Sequence, residues 1–202
     1  MINTDTNKIL LIGNSYSLAS LWAEKPWPWQ LGLSNSIEDM GATLDYQADA
    51  IINEPKENYE YVIWLVGHHL RADPRANKEF LLPYPWATGD VWGDLTRKLW
   101  FKKFTRLRWY KRIALLSVYS VLHHVPQDKL MLVPVYHPNI LENKLLKDNP
   151  SIWWNYLYKY RESDPDGTGH PNQNGHNKIA LSFQKEIYDR WKISLTLRGP
   201  SV

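Results

Sequence analysis

Cysteine is absent from the 202 residues, which excludes a disulfide, a zinc-thiolate centre and a thiol nucleophile. Long apolar runs are absent too. The first apolar run, residues 9–12, is far shorter than the ~20 residues a membrane-spanning helix needs. The opening Met-Ile-Asn-Thr-Asp-Thr-Asn-Lys holds no apolar signal core. A soluble protein without a transmembrane segment, cytoplasmic as written, is therefore expected. Acidic residues are missing from one stretch, where Arg97, Lys98, Lys102, Lys103, Arg106, Arg108, Lys111 and Arg112 follow one another without a carboxylate between them. Those cations outnumber the whole net charge of +3, so the rest of the chain is net acidic and the basic character is local. Repeats, low-complexity tracts and linker-like stretches are also lacking. At this length the chain suits one α/β domain, residues 1–202, with a substantial core.

Tryptophan is what the sequence has in excess, with eleven residues. Its side chain serves either as core packing or as a flat, amphipathic contact surface. Several of these residues sit in proline-rich stretches that read as loops, Pro26-Trp-Pro-Trp29 and Pro83-Tyr-Pro-Trp86 among them.

Three short, continuously apolar runs read as buried parallel strands: residues 8–12, closed by Gly13; residues 59–66, closed by Gly67; and residues 129–136. Pro134 argues against a central place for the end of the third run, because it has no N–H for the ladder. Between the runs lie helix-capable stretches, predicted at 43–53, 95–122 and 177–192, which favours βαβ crossovers over hairpins. The basic stretch falls in the second helix. It reads either as a helix whose aromatic stripe packs on the sheet while its cations reach water, or as a surface for an anionic ligand or partner. Nucleic acid is not the expected partner.

Two segments carry chemistry. Ile9-Leu-Leu-Ile-Gly-Asn-Ser15 puts a serine on the turn after the first strand, and the carboxyl ends of parallel strands are where open α/β sheets bind ligands. Near the other end, Asp164-Pro-Asp-Gly-Thr-Gly-His170-Pro-Asn-Gln-Asn-Gly-His176 fixes an imidazole between a turn and a helix start, a few residues after a carboxylate. A carboxylate that accepts the ring Nδ1–H leaves Nε2 to take a proton from a nucleophile. Each segment alone reads as an ordinary turn or cap.

Taken together, Gly13-Asn14-Ser15 and His170-Pro171-Asn172-Gln173-Asn174-Gly175-His176 resemble the first and last sequence blocks of the SGNH/GDSL hydrolase family. The resemblance implies a three-layer α/β/α fold around a parallel sheet of about five strands, flavodoxin-like in kind. It also implies Ser15 as nucleophile and His170 as general base; no cofactor is expected, and no metal either, since adjacent histidines rarely chelate one ion and no carboxylate cluster has ligand spacing with them. The first block has Asn14 where the family has Asp. The family sets its triad acid three residues before the histidine, which here is Gly167; Asp166 lies one residue earlier, Asp164 is the alternative, and some members work as a Ser-His pair. For the oxyanion hole the resemblance implies the Ser15 N–H, a glycine N–H for which Gly41 is the candidate, and an asparagine whose place His69 takes. His69 is then a substitute donor, a substrate contact or the mark of a weakened enzyme. His68, Trp27 and Trp86 are the remaining candidates for substrate contact. His123, His124 and His137 have no motif around them and read as surface or packing residues.

The expected function is thus ester hydrolysis or acyl transfer through an acyl-enzyme on Ser15, on a small-molecule or glycan ester such as an O-acetylated carbohydrate. The rival is a binding or structural module of the same fold, with weakened catalysis, that uses the Trp-rich loops and the basic helix.

Overall fold

The computed structural model describes residues 4–14, 16–17, 23–38, 43–67, 106–137, 139–163 and 170–198. Four strands, β1 (Ile9–Gly13), β2 (Ser36–Glu38), β3 (Tyr61–Val66) and β4 (Leu130–Pro134), form one parallel sheet in the order β2-β1-β3-β4. Leu10 pairs with Val62, Gly13 with Glu38 and Val66 with Pro134. Among the described residues four helices accompany them: α1 (Trp27–Gln30), α2 (Leu44–Asn53), α3 (Arg106–His124) and α4 (Gln173–Trp191).

The apolar runs of β1, β3 and β4 are continuous because both faces of the sheet are covered. Alternate residues point to opposite sides. Ile9, Leu11, Ile63, Leu65, Met131 and Val133 pack under α1 and α4, against Trp27, Ile179, Phe183 and Ile187. Leu10, Ile12, Val62, Trp64, Leu130 and Leu132 pack under α2 and α3, against Leu44, Ala48, Ile51, Val118 and Val121. The architecture is α/β, a parallel sheet between helices. Among the described residues no helix is long and apolar enough to cross a membrane.

Several sequence expectations shift. Among the described residues the sheet has four strands, and Ile152 adds a single parallel bridge to Leu132 on the β4 edge. β2 is only three residues long and half exposed, so it lacks an apolar run to announce it. Pro26-Trp-Pro-Trp29 is a helical start, with proline tolerated in the first turn where N–H groups lack intrahelical partners. The second helix runs to His124 and is described from Arg106; residues 95–105 lie outside the described part. The last helix starts at Gln173, four residues before its predicted start, because Asn172 caps it by accepting the Gly175 N–H at 3.1 Å. It stops at Lys192, which adopts the left-handed conformation, φ 58°.

Candidate active site

From β1 the chain turns to β2 on one side and then crosses to β3 on the other, so the crevice between β1 and β3 opens at their carboxyl ends. The end of β1 is held firmly there. Buried Gln47 of α2 donates to Gly13 O at 2.9 Å and accepts from the Trp64 indole at 2.9 Å. Asn14, buried next to it, does two things with one side chain: Oδ1 accepts the Tyr16 N–H at 3.0 Å and Nδ2 donates to Leu65 O at 3.4 Å. Ser17 closes the turn, its N–H and Oγ–H both donating to Asn14 O at 2.8 Å. A Cβ on Gly13 would collide with Ser17 Oγ and come within 3.0 Å of Glu38 Cγ, so only glycine lets Ser17 fold back. Burial pushes the Glu38 carboxyl above its ordinary range, against the opposing influence of the neighbouring Ser36 and Ser17. Ser15 itself lies outside the described residues, but Asn14 before it and Tyr16 after it are fixed.

The second motif reaches the same place. His170 is half-buried just before α4, and its ring lies 5.4 Å from the ring of Tyr16. His176, in the first turn of α4, is fully buried. Its Nδ1 accepts the backbone N–H of Trp27 at 3.2 Å, which assigns the ring proton to Nε2. Burial, reinforced by the neighbouring His170, pulls the His176 pKa down to about 4, so this imidazole is neutral in the folded chain. Trp27 also donates its indole N–H to Tyr16 O at 3.0 Å and stacks on Phe183 at 4.1 Å.

Trp27 therefore corrects the sequence reading that made it a substrate contact. It is 0% exposed, and both its ring and its polar atoms are engaged in bracing the turn after β1 against the start of α4. Trp29, 41% exposed, is the residue of that loop that shows an indole face to solvent.

A wall of rings continues from His170 along the carboxyl edge. Tyr16 packs edge-on against Tyr136 at 5.4 Å, and Tyr136 lies 5.8 Å from Tyr158. Burial above all, then Tyr136, raises the Tyr16 phenol far above its ordinary value. Beyond Tyr136, the exposed His137 Nδ1 sits 2.8 Å from Glu142 Oε1, which also accepts the Asn139 N–H at 2.8 Å and the Tyr156 hydroxyl at 3.0 Å. Although burial pushes the Glu142 carboxyl up, these three donors bring it below its usual range; burial and Glu142 push the Tyr156 phenol up to about 12. His137 is thus a surface histidine, as its sequence reading has it, with its ring held by Glu142. The signal was the capping-box spacing Asn139-x-x-Glu142, which the structure forms in full.

Of the residues proposed from sequence, the structure brings His170 to the turn that carries Ser15 and moves Trp27 into the core. Ser15, Gly41, His68, His69, Trp86, Asp164 and Asp166 lie outside the described residues. Lys111 and Arg112 of the basic stretch are exposed on α3. In comparisons with known proteins, no family model, no curated protein and no solved structure matches this chain.

Proposed function

We propose that this chain is a serine-dependent ester hydrolase of the SGNH/GDSL type, working through an acyl-enzyme on Ser15, with an O-acylated carbohydrate as the favoured substrate. One observation carries the reading. The His170 ring packs at 5.4 Å on Tyr16, the residue directly after Ser15, although the two segments stand at opposite ends of the chain. Two segments that merely formed separate turns would have no reason to converge at the carboxyl end of β1.

In this reading the Ser15 hydroxyl attacks the acyl carbon and passes its proton to His170. Asp166 accepts the His170 N–H, which orients the ring and stabilises the imidazolium. The N–H groups of Ser15 and Gly41, with the His69 ring, hold the oxyanion as it forms. Collapse breaks the ester bond, and the departing alcohol takes the proton from His170. Water then attacks the acyl-enzyme, His170 accepts a proton again, and the acid is released with Ser15 restored. Another hydroxyl in place of water makes the same cycle an acyl transfer.

Turnover of 4-nitrophenyl acetate tests this. Ser15→Ala and His170→Ala each abolish it, and the double variant is little worse than either, because the residues act as a unit. Asp166→Asn slows the reaction strongly while Asp164→Asn has little effect, and His69→Ala costs about 2.7–4 kcal/mol of transition-state stabilisation. Full activity in Ser15→Ala overturns the proposal.

A further inference from the structure

Beside this site stands a cation with no counter-charge among the described residues. Arg161 belongs to the 3-10 segment Leu157–Ser163, which is tied to the end of β4 where the Tyr158 N–H donates to Val135 O at 2.9 Å. The Arg161 guanidinium lies 3.7 Å from the centroid of the Tyr158 ring. Tyr158 in turn is one of the rings that lead through Tyr136 and Tyr16 to His170. Among the described residues no carboxylate lies within 4.0 Å of Arg161 and no hydrogen bond engages it, while the residue is exposed. Its charge also reaches the Tyr16 hydroxyl, where it opposes the effect of burial.

Stacking fixes what a solvated arginine would leave loose. A guanidinium carbon 3.7 Å above a phenol ring has one side covered, which restricts the group and leaves N–H donors for a further partner. That planar fork matches a carboxylate in a two-bond arrangement, and the aromatic surface beside it lowers competition from water.

We propose that Arg161, held on Tyr158, is a specificity-determining residue that binds a carboxylate carried by the ester substrate. The substrate class is then an anionic ester, either an acylated acidic sugar with its carboxylate on the alcohol half or a half-ester of a dicarboxylic acid with its carboxylate on the acyl half. The inference rests on the ester-hydrolase reading of the neighbouring site, and its test is read by binding so that the two stand or fall separately.

The test uses Ser15→Ala protein and calorimetric titration with two matched pairs. One pair is 4-acetoxybenzoate and its methyl ester; the other is the mono-4-nitrophenyl ester of glutaric acid and its methyl ester. In at least one pair the anion binds about tenfold or more tighter than the neutral partner, as a charge-assisted hydrogen bond predicts. Arg161→Gln erases that preference, Arg161→Lys keeps part of it, and added salt narrows it. The pair that responds tells which half of the substrate carries the charge. Absence of an Arg161-dependent preference in both pairs overturns the proposal. Turnover by the wild-type chain is scored independently: an Arg161-dependent preference without any hydrolysis sinks the hydrolase reading and leaves the anion site standing.

Discussion

At the end of β1, the Asn14 amide donates to Leu65 O at 3.4 Å while Oδ1 accepts the Tyr16 N–H at 3.0 Å. An aspartate, which the SGNH/GDSL family carries at this position, keeps the acceptor and loses the donor. Ionised, it would set a charge against the Leu65 carbonyl at a site only 2% exposed. Asn14→Asp is therefore expected to lower the unfolding free energy by about 1–3 kcal/mol at neutral pH. Urea denaturation measures this directly, and an unchanged midpoint would show that the Leu65 contact contributes nothing. Glycine at position 13 and serine at 17 belong to the same small device, since the Ser17 hydroxyl occupies the space a Gly13 side chain would need.

Between elements, the decisive connection is Trp27, which joins the turn after β1 to the first turn of α4 through Tyr16 O and His176 Nδ1. The neighbouring amides strengthen it. Gln173 and Gln30 both donate to Lys25 O, at 2.9 and 2.7 Å, and both donate to Asn177 Oδ1, so the starts of α1 and α4 are fastened to each other. Because His176 is neutral in the fold with a pKa of about 4, against 6.5 in an open chain, its unfolded form binds more protons between those values. Its contribution is fully present above about pH 6.5 and is lost as the pH falls toward 4, about 3 kcal/mol in all. His176→Asn keeps an acceptor for the Trp27 N–H but cannot titrate. The difference in unfolding free energy between wild type and variant should shift against wild type on acidification from pH 7 to pH 4.5. Parallel pH profiles would contradict the assignment.

These elements also show what patterning reveals and what it hides. β1, β3 and β4 were legible because burial on both faces demands unbroken apolar runs. β2 was not, since an edge strand of three residues with Ser36 and Glu38 at its ends makes no such demand. The start of α4 is hidden because Asn, Gln and Gly around position 174 look like a loop until the Asn172 cap is seen. His170 could be picked out by its neighbours in sequence. Tyr136, Tyr158 and Arg161 could not, because their order around the site comes from how the turns after β1 and β4 meet in space. Trp27 was misplaced because a tryptophan between prolines has the same local sequence whether it faces solvent or plugs a core.

Over the whole molecule, the parallel sheet delivers a residue from near the start of the chain and one from near its end to a single carboxyl edge. The crossover order β2-β1-β3-β4 leaves a crevice beside β1, and the rings of Tyr16, Tyr136 and Tyr158 line that edge as far as Arg161. If the edge is an acyl-transfer site, one serine in the chain differs in reactivity from all the others. A fluorophosphonate probe followed by peptide mapping reads that difference without any knowledge of the natural substrate. The account predicts one label per folded chain, on Ser15, lost in Ser15→Ala and strongly slowed in His170→Ala. A folded wild-type chain that takes up no label, or one labelled equally in Ser15→Ala, would contradict it.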